Sequence, residues 1–523
     1  MNNGDNKVLV IGLDGATWEV VAPLADEGKL PALRKLMQEG AYGDLESTMP
    51  PNTPSAWTSI FTGVNAGKHS LFCFVKRKEG SYFIKPISSR DKKVKSIWHI
   101  LSEQGRRVIL MNIPCTYPVD KVNGIMISGL GTPSRSACFT YPPKFKQKLL
   151  REFPNYDVDF NEDLILLSSD KSFILDKIKF LTAEQISVAK HLFETEPWHL
   201  FTIVFRSTDL IQHYYWNDKE TIFEYYRQID EFLQWSMSNM DRNTTLLVCS
   251  DHGFSGVNTR VCLNNWLHEI GLLQLNRPTN TLWKKLLPSA ETVQRLLAKF
   301  GLRNLAWRLK RSRLLEVVVK HLVPSEDLQY LFNVDWSRTK AYFWESSGGI
   351  ISVNLKGREP QGIVEEAEFD TIREQVIKEA LQLKDPKISR NIINHACRGE
   401  EEYHGESPDI PDVILLPNKG YRLWGAYNKS GNICEDEVVR IGDHRRNGIL
   451  AAYGGQVRPG GRIEGARVYD VTPTILRLLG IPVPSYMDGK TTVEVSTEET
   501  TNLKPDTGVE QRRIRDRITR LKH

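Results

Sequence analysis

Short apolar runs that end abruptly in polar residues alternate along this chain with stretches of helical periodicity. The first run, Lys7–Leu13, is branched and apolar and ends at Asp14. Continuous apolar runs of this length are typical of strands that are buried on both faces of a parallel sheet. Apolar positions with helical spacing follow, and Gly40 closes that predicted helix.

The same alternation recurs further along the chain. Buried strands are predicted over Arg107–Met111, Leu200–Phe205 and Thr244–Cys249. The helices that precede them are predicted around Ile97–Leu101, Ser172–Leu192 and Ile222–Met240. This order predicts an α/β fold, with a doubly wound, mostly parallel sheet and helices on both of its faces.

Two segments depart from this rhythm. Residues 271–345 are predicted to be a basic helical insertion, because Lys and Arg in 277–320 far outnumber the acidic residues. The segment 277–320 is either a helical element whose apolar stripe packs on the body, or a basic amphipathic surface for anionic lipid or a polyanionic substrate. Residues 491–523 are predicted to be a polar linker followed by a basic C-terminal helix.

The composition of the 523 residues is that of an ordinary globular protein, and the net charge of +5 is too small to indicate nucleic-acid binding. No apolar stretch approaches the roughly 18 to 20 residues that span a bilayer, and no signal peptide is apparent. The 7 cysteines are widely spaced, as is typical of reduced thiols. We therefore expect a cytoplasmic protein, peripheral to a membrane if 277–320 binds lipid. The oligomeric state is left open.

Residues that can bind metal ions follow two of the predicted strands directly. Asp14 ends the first strand, although an aspartate in this position often caps a turn. Asp251 and His252 follow the strand that ends at Cys249, and burial of this pair without a ligand would be unfavourable. Gly253 is predicted to form a tight turn after them.

Asp209 and His213 lie four residues apart, after the predicted strand Leu200–Phe205. This spacing places both side chains on one face of a helix or turn, where they can share one ion. The pattern is equally typical of a capping aspartate followed by a histidine of an amphipathic helix.

Thr53 precedes a proline at the start of another predicted helix. Pro54 is expected at the first helical position, which places Thr53 near the N-cap. Thr53 is then either only a cap, or a hydroxyl beside free N–H groups that bind a phosphoryl oxygen. A hydroxyl bound to a divalent cation can lose its proton near neutral pH and attack phosphorus.

His444 precedes an apolar run and is the histidine that best completes a metal site. Arg445 or Arg446 beside it could face a phosphate. Two other histidines compete for the role. His404 lies in a polar loop, and His69 is expected to be a structural hydrogen-bonding group.

Seven residues thus point to one metal centre: Asp14, Thr53, Asp209, His213, Asp251, His252 and His444. Carboxylate oxygens mixed with imidazole nitrogens suit zinc or manganese, and a hydroxyl among them suggests a nucleophile. The residues therefore predict a two-metal phosphoester hydrolase with a phosphoester substrate. Zn²⁺ is the expected ion and Mn²⁺ the alternative.

Around these residues the chain resembles the type I phosphodiesterase/nucleotide pyrophosphatase family of the alkaline phosphatase superfamily. It looks closest to the prokaryotic predicted phosphohydrolase/phosphomutase group. The stretches that carry the resemblance are 8–15, 50–67, 209–216, 250–254, 411–417, 442–452 and 469–489. The resemblance implies an alkaline phosphatase-like catalytic domain over residues 1–490, interrupted by the insertion.

The resemblance also implies a role for each of the seven residues. One ion would be held by Asp14, Thr53, Asp251 and His252. The other would be held by Asp209, His213 and His444. Thr53 would be the nucleophile, phosphorylated transiently before water releases phosphate or a phosphomonoester.

Two departures from relatives bear on the substrate. Nucleotide pyrophosphatases have an asparagine that contacts a phosphate oxygen where this chain has Ala56, which counts against nucleotide diesters. Thr53-Pro54 and Trp57 replace the Cys-x-Pro-x-Arg motif of sulfatases, which argues against that activity.

Hydrolysis of a phosphomonoester or phosphodiester is therefore the expected function. A phosphomutase or phosphotransferase that uses the same two-metal site is the alternative. A non-enzymatic binding module is disfavoured because every expected ligand is present.

Overall fold

The computed structural model describes residues 6–162, 165, 170–276, 334–344, 348–425, 427, 431–455 and 457–493. The basic segment 277–320 and residues 494–523 of the predicted tail lie outside this part. The lipid contact, the C-terminal helix and the proposed domain limits therefore stay predictions. Among the described residues, no helix combines the length and the apolar character that crossing a membrane requires.

A nine-stranded sheet forms the centre of the described structure. In spatial order its strands are β19 (Gly461–Arg467), β2 (Ala41–Glu46), β18 (Asn447–Gly454), β9 (Thr244–Cys249), β1 (Lys7–Leu13), β8 (Leu200–Phe205), β5 (Val108–Ile113), β6 (Gly124–Ser128) and β7 (Thr140–Tyr141). β1 is parallel to both β8 and β9, and β5 is parallel to β8 and β6. β18 is antiparallel to β2 and β9. The sheet is therefore parallel at its centre and mixed towards its edges.

Helices cover both faces of this sheet. The helices of the described residues, not all of which lie on this sheet, are α1 (Trp18–Asp26), α2 (Pro31–Glu39), α3 (Thr53–Thr62), α4 (Ala66–His69), α5 (Ile97–Glu103), α6 (Phe145–Glu152), α7 (Lys171–Thr195), α8 (Ser207–Tyr215), α9 (Lys219–Asn239), α10 (Leu263–Glu269), α11 (Glu366–Gln382), α12 (Gly399–Glu402) and α13 (Val471–Leu478). Leu9 and Ile11 of β1 belong to a core that includes residues of α2, α7 and α9. Val8 and Val10 belong to a second core with residues of α3, α5 and α13. The predicted doubly wound α/β fold is confirmed.

The strands that were predicted from continuous apolar runs lie close to their predicted limits. β1, β8 and β9 begin and end where the sequence indicated, and β5 is shifted by one or two residues. Each of these strands is buried along almost its whole length, so the apolar signal is continuous rather than alternating.

Smaller sheets that the sequence patterns did not reveal lie beside the main one. β11 (Ala341–Phe343), β12 (Ile350–Val353), β14 (Val413–Pro417) and β13 (Ile393–Arg398) form one antiparallel sheet. β10 (Gly253–Cys262) pairs with β15 (Gly420–Trp424), β16 (Cys434–Asp436) and β17 (Gly442–Arg445). β3 (Val75–Arg77) and β4 (Ile84–Pro86) form a hairpin. The described ends of the predicted insertion 271–345 join this region, because Leu272, Val334 and β11 lie in its hydrophobic core.

Asp230 of α9 holds the start of α2 against the body of the protein. Its carboxylate oxygens accept hydrogen bonds from the backbone N–H groups of Ala32, at 3.0 Å, and Leu33, at 2.8 Å. The side chain is buried, and burial raises the pKa of Asp230 to about 6. The carboxylate therefore satisfies two donors at a helix N-terminus that would otherwise be unpaired.

Asp230→Asn is expected to lower the free energy of unfolding by about 1–3 kcal/mol, because one buried N–H then faces an amide NH₂ instead of an oxygen. Urea unfolding measures this change. Glu231→Gln, at the next and exposed position of α9, is the control and should change the stability by less than about 1 kcal/mol. Equal effects of the two substitutions would contradict the assigned role of Asp230.

Candidate active site

The carboxyl ends of three adjacent strands meet at one edge of the main sheet. Asp14 follows β1, Asp251 and His252 follow β9, and Asp209 lies in the first turn of α8, which begins after β8. β1 lies between the two others and is parallel to both. This edge of a parallel sheet is where ligands bind in open α/β folds.

The turn after β1 links these strand ends directly. Gly15 has a φ of 68° and donates its N–H to Oδ1 of Asp251, at 3.1 Å. The Thr208 hydroxyl donates to the carbonyl of Asp14, at 2.6 Å. A residue with a side chain would be strained in this backbone conformation, so glycine permits the turn that brings β1, β8 and β9 together.

Thr53 is the first residue of α3, with Asn52 as the N-cap residue and Pro54 in the second helical position. The helix thus begins one residue earlier than predicted. Thr53 is 3% exposed, and its hydroxyl oxygen lies 3.3 Å from Nε2 of His252. Its hydroxyl therefore points to the strand-end cluster, beside the helix N-terminus.

The first group of candidate metal ligands lies around the ring of His252. Nε2 of His252 lies 3.2 Å from Oδ2 of Asp251 and 3.6 Å from Oδ1 of Asp14, in addition to its contact with Thr53. The indole N–H of Trp57 donates to the other oxygen of Asp14, at 3.2 Å. The structure thus brings together the four residues that the resemblance assigned to one ion. Trp57, which orients Asp14, was missed as a functional residue.

A second group consists of Asp209, His213 and His444. Oδ1 of Asp209 lies 3.2 Å from Nε2 of His213 and 3.2 Å from Nε2 of His444, and the two nitrogens are 3.0 Å apart. His444 reaches this position from β17, which pairs with β10 directly after His252. These are the three residues that the resemblance assigned to the other ion.

The two groups are contiguous. Asp209 also has a carboxylate oxygen within 4.8 Å of ligand atoms of Asp14 and His252. The rings of His252 and His444 are stacked with centroids 3.6 Å apart. All seven predicted residues therefore lie in one cluster, and Asp209 stands between its two halves.

Backbone carbonyls fix the orientation of all three imidazoles. Nδ1 of His213 lies 2.8 Å from the carbonyl oxygen of Gly442, Nδ1 of His252 lies 3.1 Å from that of Gly253, and Nδ1 of His444 lies 3.2 Å from that of Pro51. A neutral imidazole that donates its Nδ1–H to a carbonyl presents a lone pair on Nε2. Each Nε2 lone pair then points into the cluster.

This arrangement fits divalent cations. Two Nε2 lone pairs and a carboxylate oxygen within 3.0–3.2 Å of one another repel unless a proton or a metal ion lies among them. Ligands about 2.0–2.1 Å from a tetrahedral ion lie about 3.3 Å apart, which is close to these separations. Among the described residues, Oδ1 of Asp14 and Oδ2 of Asp251 are buried without a hydrogen-bond donor. Both oxygens are thus free to bind an ion.

The pKa values of the carboxyl groups reflect the same crowding. Burial and the neighbouring Asp251 and Asp209 raise the pKa of Asp14, and burial raises the pKa of Asp251 to about 7. Burial also opposes ionisation of Asp209, but His213 and His444 keep the pKa of Asp209 well below its ordinary value. Bound cations would stabilise the charged form of all three carboxylates.

The sequence profile of the type I phosphodiesterase / nucleotide pyrophosphatase family matches residues 8–446. The chain belongs to this family. The matched range contains all seven residues of the cluster, from Asp14 to His444. Membership of this family indicates that the protein is a phosphoester hydrolase.

Solved structures of two related kinds are similar to this chain. Phosphonoacetate hydrolase from Sinorhizobium meliloti 1021 in complex with phosphonoformate has a TM-score of 0.54 and 12% sequence identity, over 91% of this chain and 95% of that chain. Murine ectonucleotide pyrophosphatase / phosphodiesterase 5 has a TM-score of 0.49 and 13% identity, over 92% of this chain and 96% of that chain. A search of curated proteins found no match. The similarity to phosphonoacetate hydrolase shows that the two proteins share a fold.

The two other histidines that were considered as metal ligands, His69 and His404, lie outside the cluster. His69 is buried, its Nε2 lies 3.0 Å from the Ser59 hydroxyl, and its Nδ1 accepts the N–H of Leu71. Burial lowers the pKa of His69 to about 3, in keeping with the structural role that was expected. His404 is exposed.

One expectation about a neighbouring residue was wrong, and the contacts of two arginines bear on another. Gly253 does not form a tight turn. It begins β10, and a Cβ there would lie 1.9 Å from the carbonyl oxygen of Asn447, so glycine is needed for close approach of the two chains. Arg445 contacts the Ser255 hydroxyl at 2.5 Å, and Arg446 pairs with Glu46 and Glu402. Both guanidinium groups are therefore already bound within the protein.

Proposed function

We propose that this protein hydrolyses phosphoesters with two divalent metal ions and a phosphothreonine intermediate on Thr53. The proposal rests on one observation above all. A threonine hydroxyl at a helix N-terminus lies 3.3 Å from the imidazole nitrogen at the centre of a buried group of candidate metal ligands. We assign Asp14, Thr53, Asp251 and His252 to one ion, and Asp209, His213 and His444 to the other.

The ions, which we propose to be zinc with manganese as the alternative, would lower the pKa of the Thr53 hydroxyl and stabilise charge on the phosphoryl oxygens. Thr53 Oγ1 then bonds to phosphorus while the ester P–O bond breaks, and the departing oxygen takes up a proton. Water attacks the phosphothreonine in turn, the Oγ1–P bond breaks and the hydroxyl is restored. The N-terminus of α3 provides N–H groups for a phosphoryl oxygen during both steps.

A phosphomutase or phosphotransferase would use the same residues and replace water with a second hydroxyl. Access of water to the cluster favours hydrolysis. The His444 side chain is 18% exposed, whereas those of Asp14, Asp251 and His252 are almost fully buried. The cluster thus opens towards solvent on the side of His444.

The decisive experiment compares turnover of para-nitrophenyl phosphate and bis(para-nitrophenyl) phosphate by protein loaded with Zn²⁺ or Mn²⁺. We expect release of para-nitrophenol from at least one ester, about two bound ions per chain, and complete loss of turnover after chelation that metal addition reverses. Absence of bound metal together with absence of turnover would favour a binding module and overturn the proposal.

A further inference from the structure

Arg440 is a half-buried arginine without a hydrogen-bond partner for its side chain among the described residues. The nearest carboxylate oxygen in an ion pair is Oε1 of Glu162, at 3.8 Å, and the guanidinium lies 5.8 Å from the centre of the Tyr214 ring. The Nε atom is buried and has no partner in the described part of the chain. Holding a cation in this way is unfavourable unless another group binds it.

Glu162 is a distant partner for Arg440, and its two oxygens already accept closer hydrogen bonds from other donors. Oε2 lies 2.7 Å from the guanidinium of Arg206, and Oε1 accepts the Tyr214 hydroxyl at 2.7 Å. Arg206 in turn contacts Asp159 at 3.0 Å. Arg440 is therefore the loosely held member of a group whose other members have close contacts.

Arg440 stands beside the second group of metal ligands. It lies two residues before Gly442, whose carbonyl oxygen is 2.8 Å from Nδ1 of His213, and Tyr214 below its guanidinium follows His213 in the chain. The positive charge of Arg440 contributes, after burial, to lowering the pKa of His213. The Arg440 side chain is 29% exposed and the His444 side chain is 18% exposed, so both are partly open to solvent.

We propose that Arg440 binds an anionic oxygen of the substrate and thereby selects substrates that carry a second negative charge. This inference rests on the proposed function. The oxygen belongs either to the phosphoryl group of a phosphomonoester or to an anionic group on the alcohol portion of a diester. A guanidinium offers paired N–H donors to such oxygens, and charge-assisted bonds of this kind are stronger than its long contact with Glu162.

The test compares Arg440→Gln with the wild-type protein on three esters. They are para-nitrophenyl phosphate, bis(para-nitrophenyl) phosphate, and a para-nitrophenyl diester whose other alcohol carries a carboxylate. We expect kcat/KM to fall on the order of 10- to 100-fold for the esters with a second charge, mainly through KM, and to stay within about twofold for bis(para-nitrophenyl) phosphate. Loss on the monoester alone places the oxygen on the phosphoryl group, and loss on the carboxylate diester alone places it on the alcohol.

Two further variants make the result specific. Arg440→Lys keeps the charge and should restore part of the lost kcat/KM. Arg462→Gln is the matched control, since Arg462 is an exposed arginine 4.2 Å from the centre of the Tyr42 ring. It should leave all three esters unaffected, and metal content should be equal in every variant.

An equal loss on all three esters, or no loss on any, would overturn the inference. Binding of inorganic phosphate by the metal-loaded protein, measured by calorimetry, is independent of turnover. If no ester is hydrolysed, the proposed function fails. If Arg440→Gln then leaves the affinities for inorganic phosphate and for the unhydrolysed carboxylate diester both unchanged, the role of Arg440 is refuted as well, whereas a weakening of either affinity on the order of 10-fold would support it.

Discussion

Thr53→Ala is expected to reduce kcat by about 10³-fold or more while the bound metal stays the same, because loss of a nucleophile commonly has effects on this scale. The substitution removes one hydroxyl from the first group of ligands. Asp14, Asp251 and His252 remain in place around it. Fixed-time assays of para-nitrophenol release measure kcat, and metal analysis of the same samples measures the bound metal.

Two control variants accompany this experiment. Thr53→Ser keeps a hydroxyl at the helix N-terminus and should retain much of the activity. Thr58→Ala removes a hydroxyl from the same helix, α3, five residues after Thr53, and should leave kcat nearly unchanged. Wild-type rates in Thr53→Ala would remove Thr53 from the mechanism.

His252→Ala is expected to release one of the two ions and to lower turnover by several orders of magnitude. Nε2 of His252 is the atom that Thr53, Asp14 and Asp251 all approach within 3.2–3.6 Å. Without this imidazole, the carboxylates of Asp14 and Asp251 remain close together but offer too few ligands to bind an ion tightly. The group of Asp209, His213 and His444 should still bind its ion. Metal content after desalting should fall from about two ions per chain to about one.

His404→Ala is the matched control, because His404 is an exposed histidine that the sequence also offered as a candidate metal ligand. It should keep both ions and wild-type turnover. If His404→Ala lost metal and His252→Ala did not, the assignment of the cluster would be wrong. Thermal unfolding of both variants separates loss of the ion from loss of the fold.

The central architecture was predictable because its signals are local. β1, β8 and β9 are buried on both faces, so each is a continuous apolar run that ends at a polar residue. Parallel strands bring such ends to the same edge, which is why the sequence alone groups Asp14, Asp251 and His252. The i, i+4 spacing of Asp209 and His213 likewise reports a shared helix face.

Other features depend on contacts between distant parts of the chain. The strands of the small sheets, such as β11 and β16, have as few as three residues and carry little periodicity, so they were missed. The need for glycine at position 253 comes from the approach of Asn447, almost 200 residues away, and no local pattern contains it. A turn was the only interpretation available without that neighbour.

Taken alone, the sequence determined the fold class, the family resemblance and the identity of the candidate ligands. The reason is that burial patterns and side-chain chemistry follow from the residue types along the chain. Tertiary structure decided how those ligands are arranged. Pairing of β17 with β10 places His444 3.0 Å from His213, and the contact of Asp209 with both groups follows from the same packing. It also decided that, among the described residues, the Arg440 side chain lacks a close partner while Arg445 and Arg446 have them. Strand register and ion pairing are set by residues far apart in the chain, and only the folded protein brings those residues together.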